Sequence, residues 1–308
     1  MRSNEVLMKK SILTTIALSA GLFMNTAVLA EDLKVASWNI AWLGSHEYNE
    51  RHSDDYKALA KYASTLNADV IALQEVESEY WAKKVFGDNY NYYFSTKDWV
   101  QRVGVAIRKD IGLTVKASEY KALDVGRVRH GMDITLSRNG KTTSLLAVHL
   151  KSGCFAKSLD KSTVADMPSS TEKEEKKKLA CQLLSKQKTP LSQWIDNKQS
   201  QGEAFIILGD FNRRFSQDIA NDFSHEQGLW QAINDDKKQQ LWTPTASKNS
   251  DCWGGYYKDY IDHIVFNPEA KKHYIDNSFN QLVFKEKYTR KLSQTLSDHC
   301  PISVTLDF

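Results

Sequence analysis

The chain has 308 residues, of which 41% are hydrophobic, 26% are charged and only 5 are proline, so it is neither a low-complexity tether nor a small disulfide-stapled protein. Its 41 basic and 38 acidic residues nearly cancel, so bulk charge neither favours nor excludes a nucleic-acid partner. After residues 12–30, no uncharged run approaches the ~18 residues that a membrane-spanning helix needs, which excludes a multi-span membrane protein.

Residues 1–30 have the pattern of a secretory signal peptide. Lys9 and Lys10 provide a positive start, a short apolar centre follows, and Val28-Leu29-Ala30 is typical of a cleavage site. A single membrane anchor and a buried helix are the competing interpretations, but the short centre and the small residues that end it favour a signal peptide. We therefore expect residues 31–308 to form one exported domain, which is either periplasmic or extracellular.

From Leu33 onward, short apolar runs alternate with amphipathic stretches, without a linker or a repeat, which predicts a single α/β domain. Strands rich in Val, Ile and Phe are predicted at residues 33–40, 69–73, 104–107, 132–136, 144–150, 204–208, 260–266 and 302–306. Helices are predicted at residues 53–66, with Ser53 as N-cap, and at about 170–195. The mixed charges of residues 171–178 indicate a solvated helix face rather than a phosphate site.

All four cysteines lie in the part of the chain that we expect to be exported, where an oxidising compartment favours disulfides. Their spacing has no CxxC or Cys/His cluster of the kind that binds structural zinc. Four cysteines allow three pairings. Among these we favour Cys154 with Cys181 and Cys252 with Cys300.

Polar side chains stand at or just beyond the ends of five apolar strands, and a sixth group precedes the last strand. Burying such groups without partners is costly, so a plain core would not accept them. Each one alone has an ordinary interpretation, such as a helix cap, a core histidine or a turn residue. The set is Asn39, Glu75, His149, Asp210 with Asn212, Asp262, and Asp298 with His299.

In this ordered series the chain resembles the endonuclease/exonuclease/phosphatase superfamily, and secreted deoxyribonuclease I-like enzymes in particular. The resemblance extends from Lys34 to Leu306, through Trp38-Asn39, Gln74-Glu75, His149, Gly209-Asp210-Phe211-Asn212, Asp262 and Ser297-Asp298-His299. It implies an α/β (α+β) fold, a four-layer α/β/β/α sandwich of two packed mixed β-sheets flanked by helices. The apolar strands fit a sheet-on-sheet core of this kind.

The same resemblance implies metal-assisted hydrolysis of a phosphodiester by an activated water. Carboxylate and carboxamide oxygens suit a hard cation, so Mg²⁺ is expected, with Mn²⁺ and Ca²⁺ as alternatives. The implied metal ligands are Glu75, Asn39 and Asp298, and the implied catalytic residues are Asp210, which orients or deprotonates the water, His149, His299 and Asp262. Asp262 would pair with a histidine and fix its tautomer, while which histidine is acid and which is base stays open.

The substrate phosphate is expected to contact Asn39, Asn212 and Arg129. Arg129 matches a position where the family places an arginine that can grip two phosphate oxygens, although Arg127 is a rival at similar spacing. The chain departs from its animal relatives at Gln101, where they place a glutamate that supports the first histidine. Since an amide cannot stabilise an imidazolium as a carboxylate does, this change shifts the acid–base role toward Asp262 and His299.

Three functions compete for this pattern. The first is a secreted monomeric nuclease acting on DNA, with RNA as a further substrate, and the motif series favours it. The basic residues Lys151, Arg213 and Arg214 near the catalytic segments support it, although the two arginines are equally typical of a solvated turn. A phospholipid or phosphoinositide phosphodiesterase would need an exposed apolar hairpin, for which the aromatic loop at residues 253–257 is the nearest candidate. That loop is equally suited to stack bases or to pack as an aromatic corner. A non-catalytic module is disfavoured because every catalytic position holds a competent residue type.

Overall fold

The computed structural model describes residues 32–97 and 99–308. The expected signal peptide lies outside the described residues. The strands, in chain order, are β1 (Asp32–Leu43), β2 (Val70–Val76), β3 (Tyr90–Phe94), β4 (Val103–Arg108), β5 (Thr114–Tyr120), β6 (Gly131–Arg138), β7 (Lys141–His149), β8 (Phe205–Asp210), β9 (Asp262–Phe266), β10 (Asn280–Gln281) and β11 (Ile302–Asp307). The helices are α1 (Ser53–Leu66), α2 (Glu79–Phe86), α3 (Lys161–Ala165), α4 (Glu172–Ser200), α5 (Phe215–Ala220), α6 (Leu229–Ile233), α7 (Pro268–Lys271) and α8 (Arg290–Thr295). Short 3₁₀ turns occur at Glu47–Asn49, Lys121–Leu123 and Cys252–Gly255.

The strands form two mixed sheets that pack face to face. The first sheet has the order β10-β11-β1-β2-β4-β3 and the second has the order β5-β6-β7-β8-β9. Within each sheet one pair is parallel, β1 with β2 and β7 with β8, and its neighbours are antiparallel. Parallel strands end at the same edge of a sheet, so this arrangement gathers the ends of four strands at one side of the molecule.

Three apolar layers hold the sandwich together. The central one joins the facing sides of the two sheets, with buried residues such as Val35 and Val105 against Ile134 and Leu208. A second layer packs α1 and α2 on the outer face of the first sheet, and a third packs α4, α5 and α6 on the outer face of the second sheet. The predicted four-layer α/β/β/α architecture is confirmed.

The predicted elements agree with the structure apart from their edges. All eight predicted strands are present, whereas β3, β5 and β10 were not predicted, because β3 and β5 are edge strands with few buried residues. The N-cap prediction is wrong by one residue, since α1 begins at Ser53 and His52 is its cap. α4 begins two residues later than predicted, after the cap Thr171, and its charged first turns are largely solvent-exposed, as expected.

Both favoured disulfides are present. Cys154 is bonded to Cys181 and joins the segment after β7 to α4. Cys252 is bonded to Cys300 and joins the aromatic loop before β9 to the segment that precedes β11. Within the described residues, no helix has both the length and the apolar character needed to cross a bilayer.

Candidate active site

The carboxyl ends of the two parallel strand pairs meet in one place. Asn39 and Glu75 interrupt the apolar sequence of β1 and β2 near the ends of these strands, while His149 and Asp210 are the last residues of β7 and β8. Asn39 Nδ2 donates to Asp210 Oδ2 at 3.0 Å and therefore links the two sheets directly. All four side chains are buried, so each of them depends on these contacts for its polar partners.

A strained turn holds the Glu75 carboxylate. Ala41, Trp42 and Glu75 have φ values of 45°, 58° and 59°, in a left-handed region that side chains other than glycine seldom adopt. This backbone directs the Trp42 amide at Glu75 Oε2, at 3.1 Å. Gln101 Nε2 donates to Glu75 Oε1 at 3.1 Å, and Asn39 Nδ2 approaches the same oxygen at 3.4 Å. Strain of this kind concentrates at functional sites, where the surrounding structure maintains it.

His299 lies among three carboxylates. Its Nδ1 is 2.7 Å from Asp262 Oδ2, and its Nε2 is 3.9 Å both from Asp210 Oδ2 and from Asp298 Oδ1. Burial by itself would lower the pKa of His299, but the charges of Asp262, Asp210 and Asp298 raise the pKa well above its ordinary value of 6.5. The imidazole is therefore held as a cation.

His149 lies on the other side of Asp210, in the opposite electrostatic environment. Arg129 Nη2 is 2.8 Å from His149 Nε2, and that nitrogen is also 3.4 Å from Asp210 Oδ2 and 3.6 Å from Glu75 Oε1. Burial, with the positive charge of Arg129 as the next cause, holds the pKa of His149 well below 6.5. His149 is therefore neutral, and its Nε2 accepts a hydrogen bond from the guanidinium.

Asp210 lies between the two histidines. Its Oδ1 accepts a hydrogen bond from the backbone N–H of Asn212 at 2.7 Å. Burial raises the pKa of Asp210 to about 7, against the opposing effect of the nearby His299. A carboxyl group that titrates near neutral pH has the proton affinity of a general base or a proton carrier.

These groups line a cleft of about 560 Å³. Glu75, His149, Asp210, Asn212, Asp262, Asp298 and His299 all contribute to its wall. Asn39 lies beneath this wall through its contacts with Asp210 and Glu75. Arg129 contacts His149 of the wall and itself lines a second cavity of about 460 Å³. The structure therefore brings every predicted site residue into one neighbourhood.

The donor atoms of the site fit a hard divalent cation. Burial and the charge of Asp298 raise the pKa of Glu75, while the charge of Arg129 opposes them. A divalent cation beside Glu75 and Asp298 would therefore stabilise both carboxylates in their charged forms. Ligand atoms of Asp210, Asp262 and His299 also lie within 4.8 Å of one another, and the buried Asp262 Oδ1 has no hydrogen-bond partner among the described residues. Oxygen-rich sites of this composition suit Mg²⁺, Mn²⁺ or Ca²⁺.

The structure corrects the expectation for Arg213. Its side chain is fully buried, pairs with Asp218 at 2.5 Å and donates to the carbonyls of Cys154 and Lys157, so it can neither contact substrate nor belong to a solvated turn. Arg214 is partly exposed in the cleft wall and lies 3.6 Å from Asp259. The fully buried Arg213–Asp218 pair holds the loop after β7 in place. The sequence patterns gave no indication of this structural role.

The aromatic loop divides between the two interpretations that the sequence left open. Trp253 is buried and donates to the Ser297 carbonyl at 3.0 Å, and Tyr260 is buried as well. Tyr256 and Tyr257 are exposed in the cleft wall, and Tyr256 stacks on Tyr288 with ring centroids 4.0 Å apart. The loop is thus an aromatic corner with two exposed tyrosines.

Gln101 contacts a different partner from the first histidine, which the resemblance to the animal enzymes implied for the residue at this place. It contacts Glu75 rather than His149, and the buried Nδ1 of His149 has no hydrogen-bond partner among the described residues. Sequence reasoning also gave no role to Arg51, whose buried guanidinium donates to the carbonyls of Ile40, Ala41 and Trp42 and to those of Gln294 and Thr295. Arg51 therefore fixes the strained turn against the segment that leads to His299, and no local sequence pattern marks it.

The chain belongs to the endonuclease/exonuclease/phosphatase family. A model of that family matches residues 36–299, which contain every site residue described above. This family comprises phosphoesterases and nucleases that depend on divalent metals, and the fold and the donor set agree with that class. No curated protein matches the chain.

Three solved structures of the same fold are distant from this chain in sequence. A Danio rerio TDP2 complexed with a single-strand DNA product is 16% identical, with 89% of this chain and 98% of that chain covered and a TM-score of 0.51. The human Nocturnin catalytic domain with bound sulfate is 14% identical, with 89% and 93% covered and a TM-score of 0.54. A mannosyl-6-phosphatase of Bacteroides thetaiotaomicron is 14% identical, with 88% and 98% covered and a TM-score of 0.54.

Proposed function

We propose that this protein is an exported, divalent-metal-dependent nuclease that hydrolyses phosphodiester bonds of DNA, with RNA as a further substrate. The observation that carries the proposal is the cluster around Asp210, where a neutral histidine bound to an arginine faces a charged histidine bound to a carboxylate. The two disulfides support an oxidising destination, periplasmic or extracellular. We further propose that the enzyme acts as a monomer without stable membrane association.

In the proposed reaction Asp210 receives the proton of the attacking water, which suits a carboxyl group with a pKa of about 7. His299, kept as imidazolium by Asp262, donates to a phosphate oxygen or to the leaving oxygen. Arg129 binds a non-bridging phosphate oxygen, and His149 holds its guanidinium in position. Asn212 adds an amide donor at the same phosphate, whereas the phosphate contact expected for Asn39 is not supported, because its Nδ2 donates to Asp210 and Glu75.

Glu75 and Asp298, with the Asn39 carboxamide oxygen, are the residues that we propose to hold Mg²⁺, with Mn²⁺ or Ca²⁺ as alternatives. When bound, the cation would supply charge neutralisation for the phosphate in the transition state. The chain itself fixes the ligands, because the Trp42 amide and Gln101 hold both oxygens of Glu75 in a set orientation.

The surface favours nucleic acid over lipid as the substrate. Large exposed hydrophobic side chains among the described residues are mostly aromatic, and they are distributed over several elements rather than forming an aliphatic hairpin. Aromatic side chains next to cations are typical of nucleic-acid-binding surfaces. A sphingomyelinase-like or phosphoinositide-specific enzyme of the same fold is the alternative that this argument disfavours.

The test is digestion of supercoiled plasmid, linear duplex DNA and single-stranded RNA by the purified protein, with Mg²⁺ or with EDTA. We expect cleavage with Mg²⁺, none with EDTA, and a rate at least ~100-fold lower for His299→Ala, since a positioned acid–base group contributes about that much. Comparing nicked with linear plasmid separates endonucleolytic from exonucleolytic cutting. Hydrolysis of sphingomyelin or phosphoinositide vesicles without cleavage of any nucleic acid would overturn the proposed substrate.

A further inference from the structure

A second cavity of about 460 Å³ adjoins the catalytic cleft at Arg129. It is distinctly basic, and among the described residues that line it none is acidic. The basic side chains in its wall, called here the basic groove, are Lys97, Arg102, Arg127, Arg129 and Lys151. A concave, cationic wall that continues from the proposed scissile position is complementary to a polyanionic chain rather than to a single phosphate.

The cations of the groove differ in how far the protein already neutralises them. Lys97 is paired with Asp124 at 2.5 Å, and Arg129 contacts His149 within the catalytic site. Arg127 is exposed and makes no ion pair with any described residue. Its φ of 58° places it in a left-handed conformation, directly after Gly126, in the turn that forms one wall of the cavity. Arg127 is therefore a cation that is available to bind a phosphate from solution.

An aromatic patch borders the groove. Trp99 lines the cavity and is 52% exposed, and its ring lies 6.1 Å from that of Trp42. Trp42 in turn contacts Tyr48, 59% exposed, with ring centroids 5.0 Å apart. An exposed ring beside several cations, here Trp99 with the partly exposed Trp42 and the exposed Tyr48 next to it, is the combination that binds unpaired bases, because every base has a face that can stack.

The patch is connected to the proposed metal site through one side chain. The Trp99 indole Nε1 donates to Gln101 Oε1 at 3.4 Å, and Gln101 Nε2 donates to Glu75 Oε1 at 3.1 Å. A base stacked on Trp99 would therefore be connected through Gln101 alone to Glu75, the proposed metal ligand. This direct link fits a nucleotide next to the scissile bond better than a remote anchoring site.

We propose that the basic groove and Trp99 form a subsite for an unpaired strand, in which a base beside the scissile phosphate stacks on Trp99 and a flanking phosphate binds Arg127. This inference rests on the proposed nuclease function and adds that the preferred substrate is single-stranded or locally unpaired nucleic acid. Stacking requires a base face that pairing and neighbouring bases leave free, so a continuous duplex cannot use the subsite in the same way.

Binding in EDTA tests the subsite independently of catalysis. Fluorescence anisotropy with labelled 20-mers of single-stranded DNA and single-stranded RNA and with a fully paired 20-base-pair DNA duplex gives dissociation constants for wild type, Trp99→Ala, Trp99→Phe and Arg127→Ala. We expect Trp99→Ala to weaken single-strand binding by about 5- to 100-fold, as loss of one stacked base does, and Trp99→Phe to restore much of it. Arg127→Ala should lower the slope of log Kd against log salt by about 0.7.

Two matched variants control for the loss of an exposed ring and of an exposed charge. Tyr80→Ala removes a ring that is 62% exposed on α2, and Lys116→Ala removes an exposed cation on the edge strand β5; neither residue lines the cleft or the groove. Inorganic polyphosphate serves as a ligand with charge but no bases, and Trp99→Ala should bind it as wild type does. All variants are checked for an unchanged melting temperature.

The subsite is overturned if Trp99→Ala binds single strands no more weakly than Tyr80→Ala, or if it loses fully paired duplex and single-strand binding equally. Cleavage of nucleic acid by wild type together with either result would leave the nuclease function intact and remove only the subsite. A wild-type protein that neither binds nor cuts any of the nucleic acids would overturn both proposals. The DNA and RNA arms identify which sugar the subsite accepts.

Discussion

The two sides of the catalytic cleft hold the same side chain in opposite states. On one side His299 lies beside three carboxylates and its pKa is raised, and on the other side His149 contacts Arg129 and its pKa is lowered. Both rings approach the same oxygen of Asp210, at 3.9 Å and 3.4 Å. The residue type therefore does not decide whether a histidine ring is protonated. The charges that the fold places next to the ring decide it.

The largest effect is expected on the His299 side. Asp262→Asn removes the carboxylate that keeps His299 charged and oriented, so we expect kcat to fall by at least about 100-fold, with a smaller change in KM. Steady-state hydrolysis of a defined oligonucleotide measures both constants. Asp307→Asn, which removes an exposed carboxylate at the end of β11, is the matched control and should retain wild-type rates. Equal activity of the two variants would contradict a functional Asp262–His299 pair.

The second prediction concerns Arg129, which contacts His149 on the other side of the cleft. Arg129→Lys keeps a positive charge but loses the planar fork that can bind phosphate and His149 together, so we expect kcat/KM to fall by about 10- to 100-fold. Arg127→Lys, two residues away and outside the contact with His149, should reduce the same constant much less. If the two lysine variants behave alike, the assignment of the bidentate role to Arg129 fails.

A third buried histidine, His263, extends the comparison of His299 with His149, because its protonation affects the free energy of unfolding. His263 is buried, accepts from Thr245 Oγ1 at Nδ1 and donates from Nε2 to the Arg213 carbonyl, which describes a neutral ring. Burial lowers the pKa of His263 to about 3. The unfolded chain therefore binds a proton below about pH 6.5 that the folded protein does not, so acid favours unfolding.

We expect this histidine to reduce the free energy of unfolding by up to about 1.4 kcal/mol for each pH unit between about 6.5 and 3. Urea denaturation in EDTA at pH 7 and at pH 4.5 measures the loss. His263→Gln should be less stable at pH 7 but should lose less stability between the two pH values. A loss of the same size in wild type and variant would show that His263 does not contribute.

Much of the fold and of the site could be predicted from local sequence. Apolar strands that end in Asn39, Glu75, His149 or Asp210 are visible without coordinates, because a buried polar group at a strand end is unusual wherever it occurs. The edge strands β3 and β5 gave a weaker signal, since they bury few side chains and lack the apolar pattern of the central strands. Arg213 was misjudged because burial of an arginine depends on its partner Asp218 and on a loop from another element.

The sequence by itself determined the family and the order of the catalytic segments, because these depend on residue types and their spacing along the chain. It only favoured one of three disulfide pairings, and the structure confirms that pairing. Tertiary structure alone decided which arginine meets His149, which carboxylates surround His299, and that Gln101 holds Glu75 and Trp99. Those outcomes depend on distances between segments far apart in the chain. Electrostatic interactions vary steeply with such distances and with burial, neither of which a local pattern contains.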